Sequence, residues 1–129
     1  MADSVFAVAD GFFDAVASGE LDKVARIYAP DAIIWHNTDN TVKGPAVNID
    51  TLRWLCANVE NFRYEDVRQI EIPGGFLRQH VCRGRVKGSG QELTVPIAVV
   101  AQVKDGRITR LEEYFDSAQG AKDVPLGAE

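Results

Sequence analysis

The chain is expected to fold as one α+β domain, and three observations carry that expectation. Apolar residues recur at helical spacing through the first third. From Phe62 onward the period changes to that of strands. Near the end, Val95-Pro96-Ile97-Ala98-Val99-Val100-Ala101-Gln102-Val103 and Arg107-Ile108-Thr109-Arg110-Leu111-Glu112-Glu113-Tyr114-Phe115-Asp116 flank Asp105-Gly106. Asp-Gly between β-branched segments signals a hairpin, because a type I′ turn needs positive φ at both central residues. Helices grouped ahead of an antiparallel meander pack on one face of a curved sheet.

A first helix begins at a cap supplied by Asp3 or Ser4 and runs to about Ala17. Val5, Val8, Ala9, Phe12 and Val16 form its apolar stripe, widened by Phe6 and Phe13. After the break Ser18-Gly19-Glu20, a second helix spans Leu21 to about Tyr28, and Pro30 stops it. A short strand, Ala32–Asn37, leads into the polar run ending at Asn40. Gly44-Pro45 then opens a third helix, about Ala46 to Val59, because proline suits the first helical turn. Strands follow over Phe62–Ile72 and Phe76–Lys87, bounded by Pro73-Gly74-Gly75 and Gly88-Ser89-Gly90. The closing hairpin has a first strand apolar on both parities, so both of its faces should be covered. Its second strand puts Asp116 on the same side as Tyr114. The order is therefore α-α-β-α-β-β-β-β, with a core over about residues 3–117 and a small polar tail, 118–129.

A chain of 129 residues is the size of a single domain, and 46% hydrophobic with 26% charged residues is ordinary globular composition. A net charge of −5 argues against nucleic acid and against an anionic membrane surface. The longest apolar run, the seven residues Val95–Ala101, is far short of the ~20 that a spanning helix needs. The N-terminus lacks the basic and apolar regions of a signal peptide. The only two cysteines, Cys56 and Cys82, form no zinc-like spacing, so neither a metal nor a cofactor is expected. A soluble, reduced, cytoplasmic protein is the expectation.

Ser18-Gly19-Glu20-Leu21-Asp22, Ile27-Tyr28-Ala29-Pro30-Asp31-Ala32, Lys43-Gly44, Asp105-Gly106-Arg107-Ile108 and Glu113-Tyr114-Phe115-Asp116 stand at the spacing of a known group. Over about residues 3–117 the chain resembles the SnoaL-like members of the nuclear transport factor 2-like superfamily. That resemblance implies a strongly curved sheet closed on one side by three helices, the cystatin-like α+β roll, with a conical pocket for a small apolar molecule. It also implies a homodimer through the outer sheet face. One scaffold of this kind serves many chemistries, including polyketide cyclases, ketosteroid isomerase, limonene-epoxide hydrolase and non-catalytic binding domains.

Against ketosteroid isomerase, the general-base aspartate falls on His36, the oxyanion tyrosine on Phe12, and the protonated aspartic acid near Val99. Against limonene-epoxide hydrolase, the second catalytic aspartate falls on Asp116 and the Arg-x-Asp pair on His80 and Cys82. That enzyme's tyrosine and asparagine fall on Ile34 and His36. Both mechanisms therefore lose essential groups. The SnoaL-type cyclases imply an aspartate with a histidine, for which His36, His80 and Asp116 are the counterparts.

The residues read the same way on their own. His36 shares parity with Ile34 and Ala32, which aims it at the helices if Trp35 packs outward. His80 shares parity with Phe76, Arg78 and Cys82. A neutral histidine accepts a proton near pH 7, and a neighbouring carboxylate stabilises the imidazolium. That chemistry suits enolisation, intramolecular aldol closure or loss of water, by a lyase, isomerase or cyclase acting on an apolar or polycyclic carbonyl compound. The expected walls are Phe12, Ile34, Trp35, Trp54, Arg78, Cys82 and Tyr114. Against this stand plainer readings: Asp116 as a cap for the segment that follows it, Arg78, Arg83 and Arg85 as a solvated ladder, and a pocket that binds without catalysis. A histidine within hydrogen-bond reach of Asp116 separates the enzyme from the binder.

Overall fold

The structure, a computed structural model, describes residues 4–116 and residue 118. Most of the expected tail, 118–129, lies outside the described residues. The first helix, α1 (Val5–Ser18), starts at Ser4, whose side chain accepts a hydrogen bond from the Ala7 N–H. It ends at Gly19, which takes the left-handed conformation at φ 79° and lets α2 (Leu21–Ile27) turn away. Strand β1 (Tyr28–His36) begins earlier than expected: Pro30 lies inside it, near its start, where a missing N–H is tolerated. A three-residue strand, β2 (Thr41–Lys43), was not expected; it pairs antiparallel with the end of β1. Helix α3 (Pro45–Asn58) opens on its proline, and β3 (Val59–Ile72), β4 (Gly75–Val86), β5 (Glu92–Lys104) and β6 (Arg107–Tyr114) complete the chain.

The six strands form one sheet in the order β2-β1-β6-β5-β4-β3. Every neighbouring pair is antiparallel except β1 and β6, which run parallel. The β5–β6 turn is as expected, with Asp105 at φ 53° and Gly106 at φ 76°. Bulges in β3 and at Gln102/Val103 add local twist to the curved sheet.

Alternation sorts the sheet into two faces. Ile34, Phe76, Val95, Val99 and Leu111 point inward and are buried against Phe12, Phe13 and Val16 of α1. Burying side chains of this size contributes roughly 2 kcal/mol each. A second buried group, Leu55, Val59, Val86 and Leu93, packs the end of α3 against the sheet. The outer face carries Trp35, Val42, Ile70 and Tyr114, the last three among the exposed large hydrophobic residues. No helix among the described residues is long and apolar enough to cross a membrane.

Candidate functional site

The parallel pairing of β1 with β6 creates the site. Its register sets His36 directly beside Glu113, although 76 residues lie between them in the chain. Both side chains point inward, and His36 Nε2 lies 3.6 Å from Glu113 Oε1. That is an ion-pair distance, slightly long for a hydrogen bond. His36 is only 7% exposed, and its other ring nitrogen, Nδ1, is buried without a partner. Burial alone would lower the His36 pKa, but hydrogen bonding to Glu113 and its negative charge outweigh this and raise it above 6.5. Burial would raise the Glu113 pKa, and pairing with His36 reverses that, leaving it below the usual carboxylate value. Each group thus favours the charged form of the other.

The pair borders a cavity of about 50 Å³ between α3 and the sheet. Leu52, Leu55, Phe62, Ile97 and Phe115 supply its apolar walls, and Asn48, Thr51, Tyr64 and Cys82 its other polar atoms. Phe115 is held in place by Asn37, whose Nδ2 donates to the Phe115 carbonyl and whose Oδ1 accepts from the Phe115 N–H, both at 3.0 Å. Asn37→Ala is therefore expected to lower stability by about 1–2 kcal/mol, since it orphans both backbone groups. Urea unfolding measures the loss; a change within about 0.3 kcal/mol would mean that the two bonds add nothing net.

Asp116 does not join the site. It is exposed, and its Oδ1 accepts from the Ala118 N–H, the plainer reading of a local cap. The carboxylate that meets a histidine is Glu113. Tyr114, expected on the same side as Asp116, is 44% exposed and meets Trp35 edge-on at 5.2 Å, and Asp116 itself lies past the end of β6. Trp35 and Tyr114 are thus outer-surface residues rather than pocket walls. The Trp35 indole N–H donates to Asn40 Oδ1 at 2.9 Å. Phe12 and Ile34 are core, and Trp54 packs on the second buried group; none of the three lines the cavity.

His80 is buried but does not line the cavity; its ring is tilted against Tyr64 at 4.4 Å and edge-on to Phe13 at 5.1 Å. Arg78 also misses the cavity, and it is no part of a solvated ladder: it is 4% exposed. Its guanidinium lies 4.2 Å above the Phe13 ring and donates to Gln69 Oε1 and to His80 Nδ1 at 2.8 Å. That last bond makes His80 Nδ1 an acceptor, so the ring proton sits on Nε2, a buried N–H with no partner. Burial and the nearby Arg78 charge, opposed by Glu113, bring the His80 pKa down to about 4. Cys82 does line the cavity, but burial and Glu113 push its thiol up to about 12, which removes it as a nucleophile near neutral pH.

Glu113 was legible in one respect. It alternates with Leu111 and Phe115, two buried apolar residues, and a carboxylate on an apolar parity marks an inward acid. Asn48 shows no such mark, since its partner comes from a distant strand.

Comparisons with known proteins agree with this architecture. The family model for the SnoaL-like domain matches residues 9–111. A search of curated proteins finds no match. IdmH, a proposed polyketide cyclase of Streptomyces antibioticus, superposes with a TM-score of 0.81 at 18% identity, covering 92% of this chain and 96% of its own. An epoxide hydrolase of the limonene-epoxide hydrolase type from M. tuberculosis gives 0.76 at 19% identity, covering 95% and 90%. A protein with a ketosteroid isomerase-like fold from Catenulispora acidiphila, bound to trimethylamine, gives 0.78 at 16% identity, covering 94% of each chain. At such identities the likeness is one of fold.

Proposed function

This chain belongs to the SnoaL-like domain family, and from that premise we propose that it is a cofactor-independent lyase, isomerase or cyclase for an apolar carbonyl compound. The observation that carries the reading is the inward-facing His36–Glu113 pair bordering an apolar cavity. In this scheme His36 removes a proton from the carbon next to the carbonyl, and the electron pair moves into the C=O to form an enolate. Glu113 stabilises the imidazolium that results. The proton then returns at another carbon, or the enolate closes on a second carbonyl whose oxygen takes that proton, or it expels a β-hydroxyl that leaves as water with that proton. The buried His36 Nδ1 without a partner supports a site built for a ligand, because folding leaves few such groups unpaired. The cavity, about 50 Å³, takes only the reacting end of a ligand, so a polycyclic body needs Leu52 and Leu55 of α3 to move outward. The reading includes a cytoplasmic homodimer; exposed Val42, Ile70 and Tyr114 on the outer face support that surface for a second copy.

The test is deuterium exchange at the α-carbon of acetone, butanone and cyclopentanone, followed by NMR. Wild type is expected to exceed His36→Ala by about 10²-fold or more, the usual scale of general-base catalysis. Its rate should rise with pH through a pKa above 6.5, because only neutral His36 accepts the proton. Ketones bound equally by both proteins with no exchange in either would make this a binding protein instead.

A further inference from the structure

The proton-transfer pair accounts for one side of the cavity; the opposite wall carries a polar group that it does not use. Asn48, on the first turn of α3, is 6% exposed and lines the cavity. Its Oδ1 accepts a 2.7 Å hydrogen bond from the Tyr28 hydroxyl, itself buried at the start of β1. A side-chain amide has an acceptor end and a donor end. Tyr28 takes up the acceptor end, and the Nδ2 end meets no acceptor among the described residues. We propose that Asn48 Nδ2 holds the oxygen of the substrate and that Tyr28, hydrogen-bonded to the other end of the amide, is the positioning residue that holds it in place.

The proposal rests on the proton-transfer reading and narrows its substrate class. An N–H at this wall stabilises negative charge developing on a carbonyl oxygen as the opposite wall removes the proton. Turned the other way, the amide would present Oδ1 to the cavity that the Glu113 carboxylate also lines, two acceptors that repel an enolate. A substrate bearing its own carboxylate at this point would meet the Glu113 charge, so the class is a neutral ketone, aldehyde or ester. The other donors in the wall are less suited. Thr51 Oγ1 already donates to the Val47 carbonyl at 3.4 Å, and a thiol such as Cys82 is a weak donor. Tyr64 is the rival, since its ring also lines the cavity.

The experiment uses [2-13C]acetone with the full-length protein, reading the carbonyl 13C shift extrapolated to saturation alongside the exchange rate. Wild type and His36→Ala should both move the bound carbonyl downfield, whereas Asn48→Leu should not. Exchange should fall about 10²-fold in Asn48→Leu and about tenfold in Tyr28→Phe, which keeps the ring and the fold but frees the amide to turn. The Tyr28→Phe loss should appear in kcat more than in KM, as a purely structural role would not require. An unchanged carbonyl shift in Asn48→Leu overturns the proposal, as does a loss confined to Tyr64→Phe. A downfield shift lost in Asn48→Leu, with no exchange even in wild type, upholds Asn48 as the oxygen anchor and sinks the proton-transfer reading alone.

Discussion

Glu113→Gln lowers ketone α-proton exchange by about 10²-fold or more while the protein remains folded. Glutamine is close to isosteric with glutamate and keeps an acceptor for the His36 Nε2–H, so the ring orientation survives. What disappears is the charge. In wild type that charge overcomes the burial that would otherwise lower the His36 pKa. With a neutral partner burial is opposed only by Asp39, itself offset by Lys43, and His36 becomes a weaker base whose imidazolium is costly in a buried site. The His36 pKa should therefore drop from above 6.5 to below it, a shift that an NMR titration of the ring protons reads directly. Asp116→Asn is the informative control, because the sequence alone names that acid and the structure places it in solvent. If Asp116→Asn abolishes exchange and Glu113→Gln spares it, the site has been assigned to the wrong carboxylate.

Why the sequence points to the neighbouring acid is a matter of register. The α1 stripe, the Asp105-Gly106 hairpin and the inward parity of His36 depend on local periodicity, and all are as expected. The contact that makes the site depends on β1 lying parallel to β6, across a connection that includes α3 and four strands. No local pattern states which strands will be neighbours or in which register. The last strand offered three acids, Glu112, Glu113 and Asp116, and the resemblance to a distant enzyme favoured the third. Its own alternation, Leu111-Glu113-Phe115 inward and Tyr114 outward, favoured the second. Arg78 failed for a different reason. A buried guanidinium is uncommon, and what allows it here is the Phe13 ring and the Asp10 carboxylate from α1 and Gln69 from β3, none adjacent in sequence. The same holds for Asn48, whose role depends on Tyr28 from another element.

His80 has the other large expected effect, on stability rather than rate. Its pKa is about 4 in the folded protein against 6.5 for an exposed histidine. Below pH 6.5 the unfolded chain takes up a proton that the folded chain refuses, so stability falls as the pH falls, and the loss is complete only near pH 4. At ~1.4 kcal/mol per unit, the difference amounts to roughly 3 kcal/mol for this 3%-exposed ring. The other two groups of the site do not mimic it. The raised pKa of His36 gives stability that is fully present below 6.5 and is lost as pH rises through its folded value. The lowered pKa of Glu113 gives stability that is present above 4.5 and is lost only below that. Between pH 6.5 and 4.5 the decline therefore belongs to His80. His80→Gln keeps an acceptor for the Arg78 Nε–H and removes the titration. It should cost about 1–2 kcal/mol at pH 7 through lost packing on Phe13 and Tyr64, yet show a much flatter fall in urea midpoint from pH 6.5 to 4.5. Equal slopes in the two proteins would mean that His80 takes its proton without unfolding the site, and the reading of a permanently neutral ring held by Arg78 would fail.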